Sequence, residues 1–408
     1  MILRTAVRAV AFASGSLGRT TTTTRSVRSR SLKLGANNLA RSTCFSSFAV
    51  FAESSLRGSR TLRNRQQRQL PNRSFVKQYA AAGVDPTATS STTTMTPEEL
   101  FWFDLNGFLV IRGALTQTQV AGLNAAIDAH VPAKARARES QPLKNAAPNS
   151  AMAAAGSRID LGGMLSWEEP VFRELLTHPV LAKYLKTILG KGFRLDHQPL
   201  VIVQKHESEG FALHGGPLSG DDGAPQGRFN PELQYRCVNG EPWTSLLAVS
   251  VCLCEAEAGD GGFCVLRGSH KLNFAVPNDV THGLEARFKE HIHQPATKPG
   301  DVILFSEATV HGALPWRPRV EGKERRLALL RFAPANMAYG RAYTEEWGAQ
   351  VLGKCTPAQR AVLQPPFAPR LERKVLTDDP DSEDGTTAFR RSEHKRKHDE
   401  EIFGTPYF

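Results

Sequence analysis

The chain has 408 residues, of which 40% are hydrophobic and 22% are charged, the balance of a globular protein that can bury a core. This composition excludes a wholly disordered or collagen-like chain. The longest strongly apolar stretch, residues 246–254, has the length of a buried strand and is too short to span a bilayer. No membrane-spanning helix is therefore predicted.

The net charge of +11 is concentrated at the N-terminus. Residues 1–84 hold 15 basic residues and a single acid, Glu53, whereas the rest of the chain holds 36 basic and 39 acidic residues. A nucleic-acid-binding domain needs a basic face on its folded part. Because the folded part is close to neutral, nucleic acid is not predicted as a partner.

The N-terminal segment has the composition of an organelle transit peptide. Residues 1–52 are rich in Arg, Ser, Thr and Ala and contain no acid. Arg4 and Arg8 interrupt what would be the apolar core of a secretory signal. We therefore predict a transit peptide for the mitochondrion, with a plastid as the alternative destination. A plain disordered basic tail is the other interpretation of residues 1–84.

The first elements of the folded part are two helices and a strand. Thr96-Pro97-Glu98-Glu99 predicts a capping box, with proline at the first helical position. Phe108–Arg112 reads as a strand, and Thr116 opens a second helix that runs to about residue 129. Residues 131–156 are rich in Ala and Pro and are predicted to form a loop.

Helical spacing continues over residues 170–190, which end on a glycine. After Gly192, short apolar runs separated by turn residues continue to about residue 335. The predicted strands are Leu200–Gln204, Leu246–Cys254, Phe263–Leu266, Asp301–Phe305 and Leu327–Phe332. This pattern favours a jelly roll supported by helices over alternating βαβ units.

The six cysteines are Cys44, Cys237, Cys252, Cys254, Cys264 and Cys355. They form no pair of Cys-x-x-Cys motifs. Cys252 and Cys254 alternate along one apolar run, which places both on the same face of a strand. Reduced thiols in a core are therefore predicted, and neither a zinc site nor a disulfide framework is.

Two histidines and an arginine-rich strand could carry chemistry. His214 lies in Leu-His-Gly-Gly-Pro and His311 in Thr-Val-His-Gly. Non-heme Fe(II) oxygenases hold the metal with two neutral imidazoles and usually one carboxylate, and an arginine fork can bind a dicarboxylate cosubstrate. On a strand Arg325 and Arg331 share a face while Arg326 points away, so the first two are the candidates for that fork.

The order of these motifs resembles that of the phytanoyl-CoA dioxygenase family of Fe(II)/2-oxoglutarate-dependent oxygenases, over residues of about 97 to 335. EELFWFDLNGFLVIRGALT (98–116) is similar to the family's opening helix and strand. GDGGFCVLRGSHK (259–271) is similar to its glycine-rich turn, and KPGDVILFSEATVHGA (298–313) to the strand and turn that present the distal iron histidine. RRLALLRF (325–332) is similar to its 2-oxoglutarate arginine strand.

This resemblance implies a mainly β (α+β) fold, a double-stranded β-helix of the jelly-roll or cupin type braced by N-terminal helices. It implies that His214 and His311 are catalytic metal ligands for Fe(II), and that Arg325 anchors 2-oxoglutarate, with Arg331 as the alternative. The implied reaction uses O₂ to hydroxylate a C–H bond of an unidentified small molecule or lipid/acyl substrate, with formation of succinate and CO₂. His270, in the glycine-rich turn, is expected to be structural.

The predicted organisation has five parts. Residues 1–84 carry the transit peptide or disordered segment, and residues 85–96 are a Ser/Thr linker. Residues 97–345 form the catalytic domain, residues 346–374 a C-terminal extension, and residues 375–408 a charged disordered tail.

One position departs from the family's proximal motif, His-x-Asp. Here His214 is followed by Gly215 and Gly216, and glycine has no side chain that could bind iron. A nearby acid can take the third iron position, or water can. A halide there would make the protein a halogenase, and loss of iron would leave a non-catalytic cupin-like binding protein. The nearby acids are Glu207, Glu209, Asp221 and Asp222.

Overall fold

The computed structural model describes residues 93–131, 149–154, 156, 158–219, 228–284, 287–339, 344–368, 373–388 and 392–404. All of them belong to the second of two compact units, Pro71–Phe408. The predicted transit peptide and most of the predicted linker lie outside the described residues, as does most of the predicted loop at 131–156.

The strands, in chain order, are β1 (Phe108–Ile111), β2 (Arg158–Leu161), β3 (Arg194–Leu195), β4 (Leu200–Gln204), β5 (Phe211–His214), β6 (Leu218–Ser219), β7 (Arg228–Phe229), β8 (Tyr235–Val238), β9 (Glu241–Thr244), β10 (Leu247–Cys252), β11 (Gly262–Val265), β12 (Val302–Ser306), β13 (His311–Leu314), β14 (Arg325–Ala333), β15 (Lys374–Leu376) and β16 (Thr386–Ala388). Every strand predicted from the sequence is present, with ends that differ by at most two residues.

The helices are α1 (Pro97–Asn106), α2 (Gln117–His130), α3 (Val171–Glu174), α4 (Pro179–Leu189), α5 (Asn278–Thr281), α6 (Phe288–His291), α7 (Thr344–Leu352), α8 (Pro357–Val362) and α9 (Glu393–Phe403). Short 3₁₀ turns cover Met164–Ser166, Leu175–Thr177 and Ser269–Lys271. Within the described ranges, no helix combines the length and the apolar character that crossing a bilayer requires.

The predicted capping box at the start of α1 is confirmed. The Thr96 hydroxyl accepts a hydrogen bond from the Glu99 backbone N–H at 3.2 Å, and the Glu99 carboxylate accepts one from the Thr96 N–H at 2.6 Å. A second box of the same kind opens α2. Because each box satisfies N–H groups that lack partners inside the helix, both helices begin where the sequence predicts.

The helical spacing predicted over residues 170–190 is confirmed, but the segment is broken into α3, a 3₁₀ turn and then α4. The break lies at His178, whose ψ of 125° is not helical. Pro179 follows it, and proline disfavours the helical conformation in the preceding residue. The apolar residues keep their helical spacing across the break, so the spacing alone does not reveal the break.

Two antiparallel sheets form the β part of the described chain. The larger has the strand order β1-β12-β10-β14-β4-β2, and β3 also pairs with β14. The smaller has the order β11-β13-β5. Three two-stranded pairs, β6-β7, β8-β9 and β15-β16, complete the sheets of the described residues.

The two faces of the large sheet pack against different partners. One face shares a hydrophobic core with α1, α2 and α4, in which Val249, Leu304 and Leu330 contact helix residues such as Leu185. The opposite face packs on β11 of the small sheet, through Phe263. The fold is therefore α+β, with antiparallel sheets and helices, as a cupin-like protein has.

The cysteines of the described residues are free, as predicted: Cys237, Cys252, Cys254, Cys264 and Cys355. Cys44 lies outside the described residues. Burial raises the pKa of Cys252 and of Cys264 to about 12, so both are protonated thiols at neutral pH.

The charged tail predicted as disordered from residue 375 is instead folded over much of its length. β15 and β16 form a hairpin, and the buried Val375 packs with Ala335 and Phe367. An acidic residue that suggested a solvated tail stabilises the turn of this hairpin. The Asp384 carboxylate accepts a hydrogen bond from the Thr386 N–H at 3.0 Å and forms an ion pair with Lys374 of β15. α9 follows the hairpin.

Glu99 joins α1 to α4. Its buried carboxylate accepts hydrogen bonds from the Tyr184 hydroxyl at 2.5 Å and from Lys183 Nζ at 3.2 Å, besides that from Thr96. Burial alone would raise the pKa of Glu99, but the hydrogen bonds from Tyr184, Thr96 and Lys183 outweigh it and lower the pKa below 4.5.

We predict that Glu99→Gln lowers the free energy of unfolding at pH 7 by about 2 kcal/mol, since it replaces hydrogen bonds to a charged group by weaker ones. The pKa of Glu99 is lower in the folded than in the unfolded protein. Its stabilisation is therefore present above the unfolded pKa, near 4.5, and is lost as the pH falls through the folded pKa. Urea unfolding at a series of pH values measures both effects.

The control is Glu98→Gln, which changes an exposed carboxylate one residue away and is expected to cost less than about 0.5 kcal/mol. Equal losses for the two variants, or a Glu99→Gln effect that does not diminish at acidic pH, would contradict this role.

Candidate metal centre

The two histidines singled out from the sequence lie side by side. β5 ends at His214 and β13 begins at His311, and the two residues are paired across these neighbouring strands. Their ring centroids are 4.3 Å apart. His311 is buried, whereas His214 is exposed.

Both imidazoles are oriented by the backbone in the same way. His214 Nδ1 lies 3.0 Å from the carbonyl oxygen of Ala212, and His311 Nδ1 lies 2.7 Å from that of Thr309. A carbonyl oxygen only accepts, so each Nδ1 donates, and Nε2 is the nitrogen that each ring can offer to a metal. This arrangement is typical of metal-ligating histidines, whose second nitrogen donates to a backbone or carboxylate oxygen.

A carboxylate that the sequence analysis did not consider completes the cluster. Glu307 Oε2 lies 3.5 Å from His311 Nε2, and one ligand atom from each of His214, Glu307 and His311 falls within 4.8 Å of the others. The sequence signal was the spacing, because Glu307 lies four residues before His311 in the stretch quoted above. A turn separates Glu307 from His311, and a search for the His-x-Asp motif does not find a carboxylate placed before the histidine.

Charges within the cluster favour the protonation states that bind a metal. Burial, together with the neighbouring His214, lowers the pKa of His311 to about 4, so its imidazole is neutral at pH 7. Burial alone would raise the pKa of Glu307, but His311 in its protonated form and the permanent charge of Arg331 bring that pKa below its ordinary value. Two neutral imidazoles and one carboxylate are the donor set of non-heme Fe(II) sites, so these residues fit Fe(II).

The acids considered from the sequence do not join this cluster in the described residues. Glu207 Oε1 instead pairs with Arg317 Nε at 2.9 Å. Glu209 is buried, but it is not among the three residues whose ligand atoms converge. Asp221 and Asp222 lie outside the described residues.

Arg325 and Arg331 lie on the same face of β14, as predicted, but they meet different partners. Arg331 Nε contacts Glu307 Oε1 at 2.5 Å, so it belongs to the histidine cluster. Arg325 lies six residues from Arg331, or about 20 Å along the strand. Arg326 points to the other face and pairs with Asp128 and Glu324.

Arg325 is a buried cation beside a cavity. Its Nη1 donates to the amide oxygen of Gln204 at 2.5 Å, and among the described residues it forms no ion pair. The cavity walls include Cys252, Phe263 and Thr297. Burying a charge without a counter-charge is costly, so a guanidinium placed in this way favours binding of a carboxylate in the cavity.

His270 lies in a 3₁₀ turn, and its Nε2 is 2.9 Å from the backbone oxygen of Asp104. It is not part of the cluster around His214. Burial lowers the pKa of His270 to about 4. Its contacts connect the turn to α1.

The sequence profile of the phytanoyl-CoA dioxygenase family matches residues 103–318, more than half of the chain. The chain belongs to the phytanoyl-CoA dioxygenase family. Enzymes of this family depend on Fe(II) and 2-oxoglutarate, so the protein is a 2-oxoglutarate-dependent oxygenase and these are its cofactors. The matched range contains His214, Glu307 and His311 and ends before Arg325.

Several solved structures resemble the chain. HygX from Streptomyces hygroscopicus, solved with nickel, 2-oxoglutarate and hygromycin B, is 21% identical over 63% of this chain and 94% of its own, with a TM-score of 0.48. AviO1 from Streptomyces viridochromogenes is 16% identical over 61% of this chain and 100% of its own, with a TM-score of 0.41. SnoN, an α-ketoglutarate-dependent epimerase from nogalamycin biosynthesis, is 16% identical over 72% and 97%, with a TM-score of 0.40. No curated protein sequence shows significant similarity to the chain.

We predict that Arg325→Gln raises the KM for 2-oxoglutarate by about 10- to 100-fold, since it removes charge-assisted hydrogen bonds to a carboxylate. Steady-state assays of succinate formation at varied 2-oxoglutarate measure the effect. Arg326→Gln is the matched control, because it alters the neighbouring arginine on the opposite face. An unchanged KM in Arg325→Gln would assign the cosubstrate to another cation, with Arg331 the next candidate.

Proposed function

We propose that the protein hydroxylates a C–H bond of a small molecule, using Fe(II), 2-oxoglutarate and O₂ and forming succinate and CO₂. The two packed sheets, on this proposal, form a double-stranded β-helix barrel braced by α1, α2 and α4. The observation that carries the proposal is the convergence of His214, Glu307 and His311, because it brings two imidazole nitrogens and one carboxylate oxygen to one point.

Each residue of the site has a separate task. His214 and His311 would hold the metal through Nε2, and their Nδ1 hydrogen bonds fix the ring planes before it binds. Arg325 would pair with the far carboxylate of 2-oxoglutarate. When bound, Fe(II) would activate O₂, which takes two electrons from 2-oxoglutarate, giving succinate and CO₂, and two from the C–H bond, giving the alcohol.

The two sides of the cluster differ in exposure, which bears on where a substrate approaches. Phe305 and Phe263 pack near His311, with ring centroids 4.5 and 6.2 Å from its ring, and they exclude water from that side. His214 faces the surface, beside the exposed ring of Phe211 at 4.9 Å. We therefore place the substrate on the His214 side, where O₂ and a small apolar molecule can enter.

Hydroxylation is favoured over halogenation because the halide alternative rested on an empty ligand position next to Gly216. A carboxylate converges with the two imidazoles and can take that third ligand position, so a halide is not needed there. Intact histidines and a buried Arg325 beside a cavity likewise favour an enzyme over a binding protein.

The first test uses the full chain, purified without oxygen and mixed with Fe(II) and 2-oxoglutarate. We expect a visible absorption band from the bound cofactors, followed by slow succinate formation when air is admitted. His311→Ala should lose both signals, because it removes a metal ligand, whereas His206→Ala, an exposed histidine outside the cluster, should keep them.

Substrate screening then identifies the product by mass spectrometry. Hydroxylation adds one oxygen atom that comes from ¹⁸O₂, and the other atom of ¹⁸O₂ enters succinate. Succinate formation that persists in His311→Ala, or a product that carries halogen, would contradict the proposed function.

We also propose that the protein acts in the mitochondrion, on the composition of residues 1–52 alone. Microscopy of residues 1–84 fused to a fluorescent protein tests this, and accumulation in plastids would support the alternative destination.

A further inference from the structure

The backbone at the expected position of the third ligand is unsuited to an acidic residue. Gly215 and Gly216 have φ of +89° and +95°, in the left-handed region that side-chain-bearing residues rarely adopt. A Cβ at 216 would also lie 3.1 Å from Val310 Cγ2, and one at 215 would lie 2.6 Å from the carbonyl oxygen of Glu307. The chain after His214 is therefore shaped for glycine, and a carboxylate must come from elsewhere.

Glu307 comes from the turn between β12 and β13. Its backbone N–H donates to the carbonyl oxygen of Leu246 at 3.0 Å, and the turn is closed by a hydrogen bond from the Thr309 N–H to the carbonyl oxygen of Ser306 at 2.8 Å. These bonds hold Glu307 and the turn, and the pairing of His311 with His214 holds the other end of the four-residue spacing. The side chain is buried beside the two imidazoles, so it is held before any metal binds.

The two oxygens of Glu307 have different partners. Oε1 contacts Arg331 Nε at 2.5 Å, whereas Oε2 faces His311 Nε2 at 3.5 Å. Arg331 therefore holds one oxygen of the carboxylate and leaves the other directed at the imidazoles. The histidines, in contrast, are held by backbone carbonyl oxygens at their Nδ1 atoms.

Arg331 reaches Glu307 across β10. Arg331 pairs with Ala248, and Ala248 pairs with Phe305 on the far side, so the three side chains lie in one row on the same face of the sheet. Ala248 is fully buried and carries only a methyl group, which leaves room for the guanidinium to pass over it. A larger side chain at 248 would occupy that path.

We propose that Glu307 is the carboxylate ligand of this site, in place of the acid absent at position 216, and that Arg331 is the positioning residue that presents its Oε2. The assignment rests on the proposed function, because it presumes a metal between His214 and His311. It goes beyond that function by naming a ligand from a turn outside the His-x-Asp motif, together with the residue that holds it.

Metal affinity tests the ligand without reference to turnover. Isothermal titration of the full chain with Ni²⁺, as an air-stable substitute for Fe(II), compares the wild type with Glu307→Gln. The amide keeps the volume and an acceptor for Arg331 but loses the charge. We expect affinity to fall about 100-fold, at the upper end of losses seen when the partners of metal ligands are removed.

Two further variants separate the possible failures. Glu207→Gln is the matched control, since this half-exposed carboxylate pairs with Arg317, and it should bind Ni²⁺ as the wild type does. His311→Ala should abolish binding. Loss in His311→Ala with wild-type affinity in Glu307→Gln would overturn this inference alone, whereas wild-type affinity in His311→Ala would overturn the proposed function itself.

The visible spectrum of the Co²⁺-loaded protein tests Arg331, because the band positions and intensities report the ligands and their geometry. Arg331→Gln should change the spectrum and weaken Co²⁺ binding about 10-fold. Arg331→Lys, which keeps a cation within reach of Glu307, should restore the wild-type spectrum and covers the case in which the glutamine variant does not fold. A wild-type spectrum in Arg331→Gln, or a Lys variant that rescues nothing, would overturn the positioning role.

Discussion

The pairing of β5 with β13 is the constraint on which the site depends. It places His214 opposite His311, and a slip of one residue would turn one of the two imidazoles to the other face of the sheet. Gly312 makes this pairing possible, because a Cβ there would lie 2.5 Å from the carbonyl oxygen of Phe211 in β5. The glycine after the distal histidine is thus explained by the close approach of two strands.

The large sheet adds the charges that the small sheet lacks. Glu307 directly follows β12, in the turn that leads to β13. β14 carries both arginines on the face that packs toward the small sheet. Arg331 is already paired with an anion of the protein, whereas Arg325 has a neutral amide partner, Gln204, and a cavity beside it. One strand therefore serves two anions, a permanent carboxylate at one end and, on the proposed function, the cosubstrate at the other.

Much of this arrangement could be predicted from the sequence, because the determinants are local. Capping residues fixed the starts of α1 and α2, apolar runs predicted β1, β4, β10, β11, β12 and β14, and alternation placed Arg325 and Arg331 on one face. β5 and β13, which carry the two histidines, were not among the predicted strands, because their apolar runs are too short. Glu307 could not be found in this way, since its role depends on a turn that brings residues four apart together. The hairpin of β15 and β16 was missed because acidic side chains that bind their own turn have the same composition as a solvated tail.

The most direct measurement is a crystal structure of the full chain grown without oxygen, with Fe(II) and 2-oxoglutarate. We expect one metal ion bound by His214 Nε2, His311 Nε2 and Glu307 Oε2, with Arg331 still on the other oxygen of Glu307 and Arg325 on the far carboxylate of 2-oxoglutarate. A metal bound by the two histidines while Glu307 remains outside bonding distance, or a metal bound elsewhere in the chain, would contradict this assignment.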